Sequence, residues 1–119
     1  MQYLLVAYAN ESAWPQMTPA EQQRGMAAYQ AYTEALMAAK AYVGSNRLQP
    51  SSAATTVRIT DGKPQVLDGP YADSREQFGG YFLIDVPDLD SAISWASRCP
   101  AAAHGVVKVR PVWAMAAAA

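Results

Sequence analysis

The sequence predicts an α+β domain of the ferredoxin-like, split βαβ type, in which two helices cover one face of an antiparallel sheet. The main observation is the order of its segments: strand, helix, several strands, helix and strand. A second is size, because 119 residues with 51% hydrophobic content can bury one core of ordinary density. Residues 1–115 are therefore predicted to be a single domain, followed by an alanine tail at residues 116–119.

The first strand and the first helix have the clearest signals. Residues 2–9 are rich in Tyr, Leu and Val without strict alternation, which is typical of a central strand buried on both faces. Thr18, Pro19 and Glu21 combine an N-cap, a proline at the first helical position and a capping-box glutamate. A helix is therefore predicted from residue 19 to about Lys40. Its apolar stripe recurs at three- and four-residue spacing and comprises Met26, Tyr29, Tyr32, Ala35, Leu36 and Ala39.

The remaining elements follow from β-branched content, turn residues and caps. Further strands are predicted at residues 42–48, 55–60, 65–67, 80–86 and 106–113. Asp61-Gly62 predicts a tight hairpin turn between the second and third of these. A second helix is predicted from Asp88 or Asp90 to about Arg98, and Pro100 ends it. The residues spaced for burial in this helix are Leu89, Ala92, Ile93 and Ala96.

The last strand indicates how the sheet is exposed. Val107 and Val109 alternate with Lys108 and Arg110, which predicts one core face and one polar face. Helices on one side of a sheet of four or five strands leave the other side uncovered, and an apolar patch of several hundred Å² marks an interface. We therefore expect a homodimer closed sheet against sheet, with pockets beside the interface.

Composition excludes several classes of function. Nine Lys and Arg against ten Asp and Glu leave a net charge of −1, which supplies no basic field for nucleic acid. The single Cys99 excludes an internal disulfide, and without a CxxC or His cluster no structural zinc or other metal site is predicted. A reducing, cytoplasmic location fits this composition. Residues 3–9 are too few to span a membrane, so no membrane association is expected.

The most informative motif is Asp68-Gly69-Pro70-Tyr71, followed by residues 75–81, Arg-Glu-Gln-Phe-Gly-Gly-Tyr. This motif resembles the Asp-Gly-Pro-Phe signature of the DGPF proteins, a branch of the YCII-related group. The likeness extends to Asp85, to His104-Gly105 and to residues 109–112. The resemblance implies a dimeric α/β barrel built from ferredoxin-like protomers.

Some YCII-related relatives are thought to use a His and Asp pair, and one acts as a dehydrochlorinase on a chlorinated hydroxyquinol. The helix histidine of those relatives aligns with Tyr29 of this chain. Tyrosine has a reference pKa of about 10, so Tyr29 would donate a hydrogen bond or act as a weak acid and not as a base at neutral pH.

Asp68 and His104 are the candidate catalytic residues. Gly69 and Pro70 constrain the backbone beside Asp68, and histidine is the usual side chain for proton transfer near neutrality. The alternative is structural: Asp before Gly commonly accepts backbone hydrogen bonds in a turn. A lone histidine at the start of a strand is more often a surface or capping residue.

Five further residues are candidates for binding a substrate. Arg47 and Arg110 could hold a carboxylate, phenolate or enolate, although surface ion pairing is the alternative for each. Tyr71 is the aromatic residue most expected to face a ligand, Tyr29 could donate a hydrogen bond, and Glu76 could orient Arg110 or cap the turn from Ser74.

Two hypotheses of function follow. The first is a cofactor-independent enzyme that acts by acid/base chemistry on a small aromatic or enolisable molecule. The second is a non-enzymatic ligand-binding or regulatory module that uses the same dimer pocket. The absence of a histidine at position 29 and of a metal or cofactor signature favours the second.

Overall fold

Six strands, two α-helices and three short 3-10 helices make up the chain in its computed structural model, which describes residues 1–72 and 74–115. The strands and helices are β1 (Gln2–Ala9), α1 (Pro19–Ala38), β2 (Tyr42–Arg47), β3 (Thr55–Thr60), β4 (Lys63–Asp68), β5 (Gln77–Asp85), α2 (Leu89–Arg98) and β6 (Val106–Pro111). The 3-10 helices are Glu11–Gln16, Ser51–Ala53 and Pro100–Ala103. The predicted alanine tail lies outside the described residues.

The main sheet is antiparallel, and its strand order is β2-β5-β1-β6. With α1 between β1 and β2 and α2 between β5 and β6, this order is compatible with the predicted ferredoxin-like plan. β3 and β4 do not extend the main sheet. They form a separate two-stranded hairpin, so the main sheet has four strands. Asp61 and Gly62 both have positive φ, at 51° and 73°, as the hairpin turn predicted at this dipeptide requires.

Side-chain caps determine where both helices begin. The hydroxyl of Thr18 accepts from the Glu21 amide at 3.2 Å, and the Glu21 carboxylate accepts from the Thr18 amide at 3.0 Å, so the predicted capping box is present. Asp88 accepts from the Ser91 amide at 2.8 Å and is the cap of α2. These hydrogen bonds to the ionised form lower the pKa of the Glu21 and Asp88 carboxyl groups.

The core lies between the two helices and one face of the sheet. Leu5, Leu36 and Ile84 are its fully buried large side chains. The Tyr32 hydroxyl donates to the Trp95 carbonyl at 2.7 Å, which ties α1 to α2 over this face. The apolar stripes predicted for the two helices include residues that the structure leaves exposed, namely Met26, Ala39, Leu89 and Ile93. The small Ala92 and Ala96 face the core instead, and small side chains allow a helix to approach a sheet closely.

The second face of the sheet is opposite the helices. Cross-strand pairing places Leu4, Val6 and Tyr8 of β1 on this face, beside Tyr81 and Leu83 of β5. We call it the open face. As predicted, β6 turns Val107 and Val109 to the core, while Lys108 and Arg110 alternate onto the open face. Among the described residues, neither α-helix is long and apolar enough to cross a membrane.

Leu36→Ala tests the assignment of the core. Removing a fully buried leucine side chain leaves a cavity, so we expect the free energy of unfolding to fall by about 3 kcal/mol. Met37→Ala is the control, because Met37 is half exposed on the same helix turn, and its effect should stay within about 0.5 kcal/mol. Urea unfolding measures both. Equal losses for the two variants would contradict the core described above.

Candidate functional site

A cleft of about 560 Å³ opens where the root of the β3–β4 hairpin meets the end of the main sheet. Its walls come from the end of β1, the chain that follows β2, the root of the hairpin and the segment that enters β5. The lining side chains are mainly apolar. They include the aromatic residues Tyr8, Tyr71 and Phe78 and the aliphatic residues Leu48, Pro50 and Pro70.

The three aromatic rings are held to different degrees. Tyr8 and Phe78 meet edge to face with centroids 5.8 Å apart, and the Lys108 ammonium donates to the Tyr8 hydroxyl at 3.0 Å. Tyr71 is 77% exposed, and the Arg58 guanidinium lies 5.3 Å from its ring centre. Tyr8 and Phe78 are therefore held by neighbouring side chains, whereas the ring of Tyr71 is largely exposed to solvent.

Hydrogen bonds centred on Glu11 fix the polar side of the cleft. The Glu11 carboxylate accepts from the Ser51 amide at 2.8 Å and from the Ser51 hydroxyl. The Glu11 amide donates to the Gln77 side-chain oxygen at 3.0 Å, and Gln77 donates in turn to the Ser74 carbonyl. The cleft is lined by Ser51, Ser74 and Gln77 but not by Glu11. Glu11 therefore connects the chain after β2 to the segment that enters β5 from outside the cleft.

The Asp68–Tyr71 motif shapes the root of the hairpin. Gly69 has a φ of 102°, which favours glycine, and its amide donates to the Ala54 carbonyl at 2.6 Å. The Thr56 hydroxyl donates to the Gly69 carbonyl at 2.9 Å. This bend closes the hairpin and places Pro70 and Tyr71 in the wall of the cleft.

The two candidate catalytic residues lie on separate elements. Asp68 is exposed at the end of β4 and is paired in register with Thr55. His104 is exposed before β6, where Gly105 approaches β1 so closely that a Cβ would meet the Tyr8 carbonyl oxygen at 2.1 Å. His104 is thus at the same end of the sheet as the cleft. Among the described residues, neither Asp68 nor His104 lines the cleft, and no hydrogen bond joins them.

The two candidate arginines lie outside the cleft. The Arg47 guanidinium lies 4.4 Å from the centre of the Trp14 ring and borders a shallow hollow of about 300 Å³ that adjoins the cleft. Arg110 pairs with Leu4 on the open face, four residues along β1 from Tyr8 and therefore roughly 13 Å away.

The remaining candidates differ in their surroundings. Tyr29 stacks on Phe82 with centroids 6.3 Å apart, and burial, with a contribution from Cys99, raises the pKa of its hydroxyl to about 12. Tyr29 is therefore neutral at physiological pH. Glu76 and Tyr71 do line the cleft, and the structure brings these two predicted residues together. The Glu76 carbonyl accepts from the Ser74 hydroxyl, but the described contacts do not join Glu76 to Arg110.

Several residues of the cleft were not predicted from sequence. Tyr8 and Ser51 line the cleft and Glu11 holds its wall, but the three are far apart in the chain and carry no motif that links them. Gln77 and Phe78 belong to the stretch of residues 75–81 that carries the family resemblance, which was the signal for them, although neither was named as a site residue. Within residues 1–72 and 74–115, no three His, Cys, Asp or Glu side chains cluster as a metal site would require.

Comparison with known proteins gives two matches. The model of the YCII-related domain matches residues 1–116. An uncharacterized protein of Rhizobium meliloti (strain 1021) is 33% identical over 114 residues, which cover 94% of this chain and 92% of the relative.

Glu11→Ala tests whether this carboxylate holds the cleft together. The change removes the acceptor of both Ser51 hydrogen bonds, so we expect the free energy of unfolding to fall by about 1–3 kcal/mol. Glu34→Ala, on the exposed side of α1, is the matched control and should change it by less than about 0.5 kcal/mol. Chemical denaturation compares the two variants, and indistinguishable stabilities would refute the structural role of Glu11.

Proposed function

Because the chain belongs to the YCII-related family, we propose that it binds a small, predominantly apolar organic molecule in the cleft at the root of the hairpin. The Asp68–Tyr71 motif supports a place in the DGPF branch of this family. The protein is a homodimer in this proposal, with the open faces of two copies packed together as a dimeric α/β barrel, and it works in the cytoplasm.

The composition of the cleft carries this proposal. Its volume of about 560 Å³ falls within the range of roughly 300–1,000 Å³ that is common for small-molecule sites. Apolar side chains, among them three aromatic rings and two prolines, supply most of the wall, and a few polar groups can orient a ligand. Tyr8, Tyr71 and Phe78 suit a flat, aromatic ligand, since aromatic rings favour edge and offset contacts.

The open face supports the dimer. Both helices pack on the opposite side of the sheet, and Leu4, Val6 and Leu83 share the open face with Tyr81. An antiparallel sheet can leave one face to water when that face is polar, but here its centre is apolar. Val6 is already buried within the chain, and packing two open faces together would remove the partly exposed Leu4 and Leu83 side chains from water.

Tyr71→Ala tests ligand binding. A panel of small phenols and aromatic acids is screened against the protein by ligand-observed NMR, and we expect at least one to bind. Loss of the Tyr71 ring should weaken that ligand by about three- to tenfold, because an aromatic contact contributes roughly 0.5–1.5 kcal/mol. Trp113→Ala is the matched control, since Trp113 is also an exposed aromatic residue but does not line the cleft.

The contradicting outcomes are equally specific. If Trp113→Ala weakens ligand binding as much as Tyr71→Ala does, the ligand binds outside the cleft. Failure of every compound in the panel to bind, while both variants stay folded, would remove the support for an aromatic ligand.

A second candidate function is acid/base catalysis on the bound molecule without a cofactor. One observation favours it: among the described residues that line the cleft, Glu76 is the carboxylate. A carboxylate within hydrogen-bond reach of an enolisable ligand can accept a proton. Asp68 and His104, the residues proposed from sequence, could take part only if they reach the cleft of a second copy. Tyr29 is too weak an acid to supply a base near neutral pH.

Glu76→Gln separates catalysis from binding. The amide keeps the size of the side chain but cannot accept the proton, so turnover of a bound compound should fall by about 100-fold or more while its affinity changes little. Glu34→Gln serves as the control variant. NMR follows the chemical conversion of the ligand over time. A ligand recovered unchanged from the unmodified protein would exclude this second function for that compound.

A further inference from the structure

The β3–β4 hairpin projects from the rest of the chain, and we call residues 55–68 the arm. The protein measures 53 × 48 × 18 Å and has a radius of gyration of 16.7 Å. A compact domain of this length would have a radius of gyration of about 13.5 Å. A two-stranded hairpin is at best marginally stable in water when no other layer packs on it. Within residues 1–72 and 74–115, the strands of the arm pair with each other and with no other strand.

The arm is amphipathic, and its two faces can be assigned from the cross-strand pairs. One face, which we call the apolar face of the arm, carries the pairs Val57 with Val66, Ile59 with Pro64 and, at the root, Thr55 with Asp68. The opposite face carries Arg58 with Gln65, Thr60 with Lys63 and, at the root, Thr56 with Leu67, which is an exposed apolar residue on an otherwise polar face. Val57, Ile59 and Val66 are 61%, 64% and 62% exposed. Such segregation is expected of a hairpin that buries one face.

The exposed area of the whole protein indicates how large the missing contact is. The chain exposes 8590 Å², whereas a folded monomer of 12.8 kDa exposes about 6,300 Å². The difference, about 2,300 Å², is more than residues 73 and 116–119 can supply between them. Obligate dimers bury on the order of 1,000–2,500 Å² per partner. A second copy of the chain would account for an area of this size.

We infer that the arm is exchanged between the two copies of the proposed homodimer, its apolar face packed on the β6 edge of the partner subunit's open face, beside the contact between the two open faces. This inference rests on the dimer of the proposed function and adds a second contact to it. Charge supports the pairing, because Asp68 is the charged residue on the apolar face of the arm, while Lys108 and Arg110 lie on the open face. In a two-fold dimer each contact occurs twice.

The exchange makes the cleft depend on the dimer. The root of the arm forms one wall of the cleft through Thr56, Pro70 and Tyr71. The rest of the wall comes from the end of β1, the chain after β2 and the segment that enters β5 of the same chain. Packing the arm on the partner immobilises the first wall. Affinity in the cleft should therefore respond to residues on the apolar face of the arm that do not themselves line it.

Adjacent residues on opposite faces of the arm provide the test. Val66→Glu places a carboxylate on the apolar face, and Gln65→Glu places the same side chain on the polar face, opposite Arg58. Sedimentation equilibrium should show a dimer for the unmodified protein and for Gln65→Glu. For Val66→Glu the dissociation constant of the dimer should rise about tenfold or more, because the dimer carries the new charge twice in a buried contact.

The second measurement is affinity for a compound from the phenol panel, at a protein concentration where the unmodified chain is dimeric. Val66→Glu should weaken binding, and Gln65→Glu should not. The paired change Val57→Thr with Val66→Thr keeps β-branched side chains and hence the strand preference of the arm, and it should weaken the dimer in the same direction. Circular dichroism confirms that the variants are folded.

The outcomes distinguish this inference from the proposed function. Val106→Glu adds a charge to the open face at a half-exposed position. If Val106→Glu weakens the dimer while Val66→Glu and the paired threonine variant do not, the arm exchange is wrong and the dimer through the open face stands. If the unmodified protein is monomeric at micromolar concentration, both are wrong, whereas binding of the compound to that monomer would still support the cleft.

Discussion

Burial on only one side of the main sheet is the constraint on which the rest of the structure depends. Leu5, Leu36 and Ile84 fill the space between the sheet and the two helices, and the capped starts of α1 and α2 hold both helices over the same face. Among the described residues both α-helices lie on the other face of the sheet, so neither covers the open face, and the arm forms a sheet of its own. Apolar surface is left on the open face and on the apolar face of the arm, in addition to single exposed side chains on the helices such as Met26 and Ile93. Surfaces of this kind favour association with a second copy.

The cleft lies where the root of the arm meets the end of the main sheet. Glu11 joins the chain after β1 to the chain after β2 and to the start of β5, although these segments are distant in sequence. The Asp68–Tyr71 motif adds the fourth wall, because the positive φ of Gly69 turns the chain from the arm back toward β5. The same motif that suggests a family thus has a clear structural role. Its glycine and proline set the root of the arm, and its tyrosine faces the cleft.

The surroundings of the predicted residues do not support proton transfer by Tyr29 or an anion site in the cleft built from Arg47 and Arg110. Tyr29 occupies the position of a helix histidine, but it packs on Phe82 in a buried environment that keeps its hydroxyl protonated. Arg47 lies against Trp14, and Arg110 lies on the open face. What remains at the cleft is an aromatic surface with hydroxyl, amide and carboxylate groups along one side. Such a surface recognises shape and a small number of hydrogen bonds.

The sequence by itself determined the α+β class, the extent of α1 within two residues, the hairpin turn at Asp61-Gly62 and the two faces of β6, and it narrowed the cap of α2 to Asp88 or Asp90. These features depend on local chemistry, namely caps, turn residues and periodic burial, which act over a few neighbouring residues. Only the tertiary structure decided that β3 and β4 form a separate arm, that Glu11 and Ser51 meet, and which predicted site residues share the cleft. Glu11 and Ser51 lie 40 positions apart, and neither carries a sign of the other in its own sequence neighbourhood. Local patterns predict a hairpin and its turn, but they do not show whether the hairpin joins a larger sheet or which of its neighbours face a cleft.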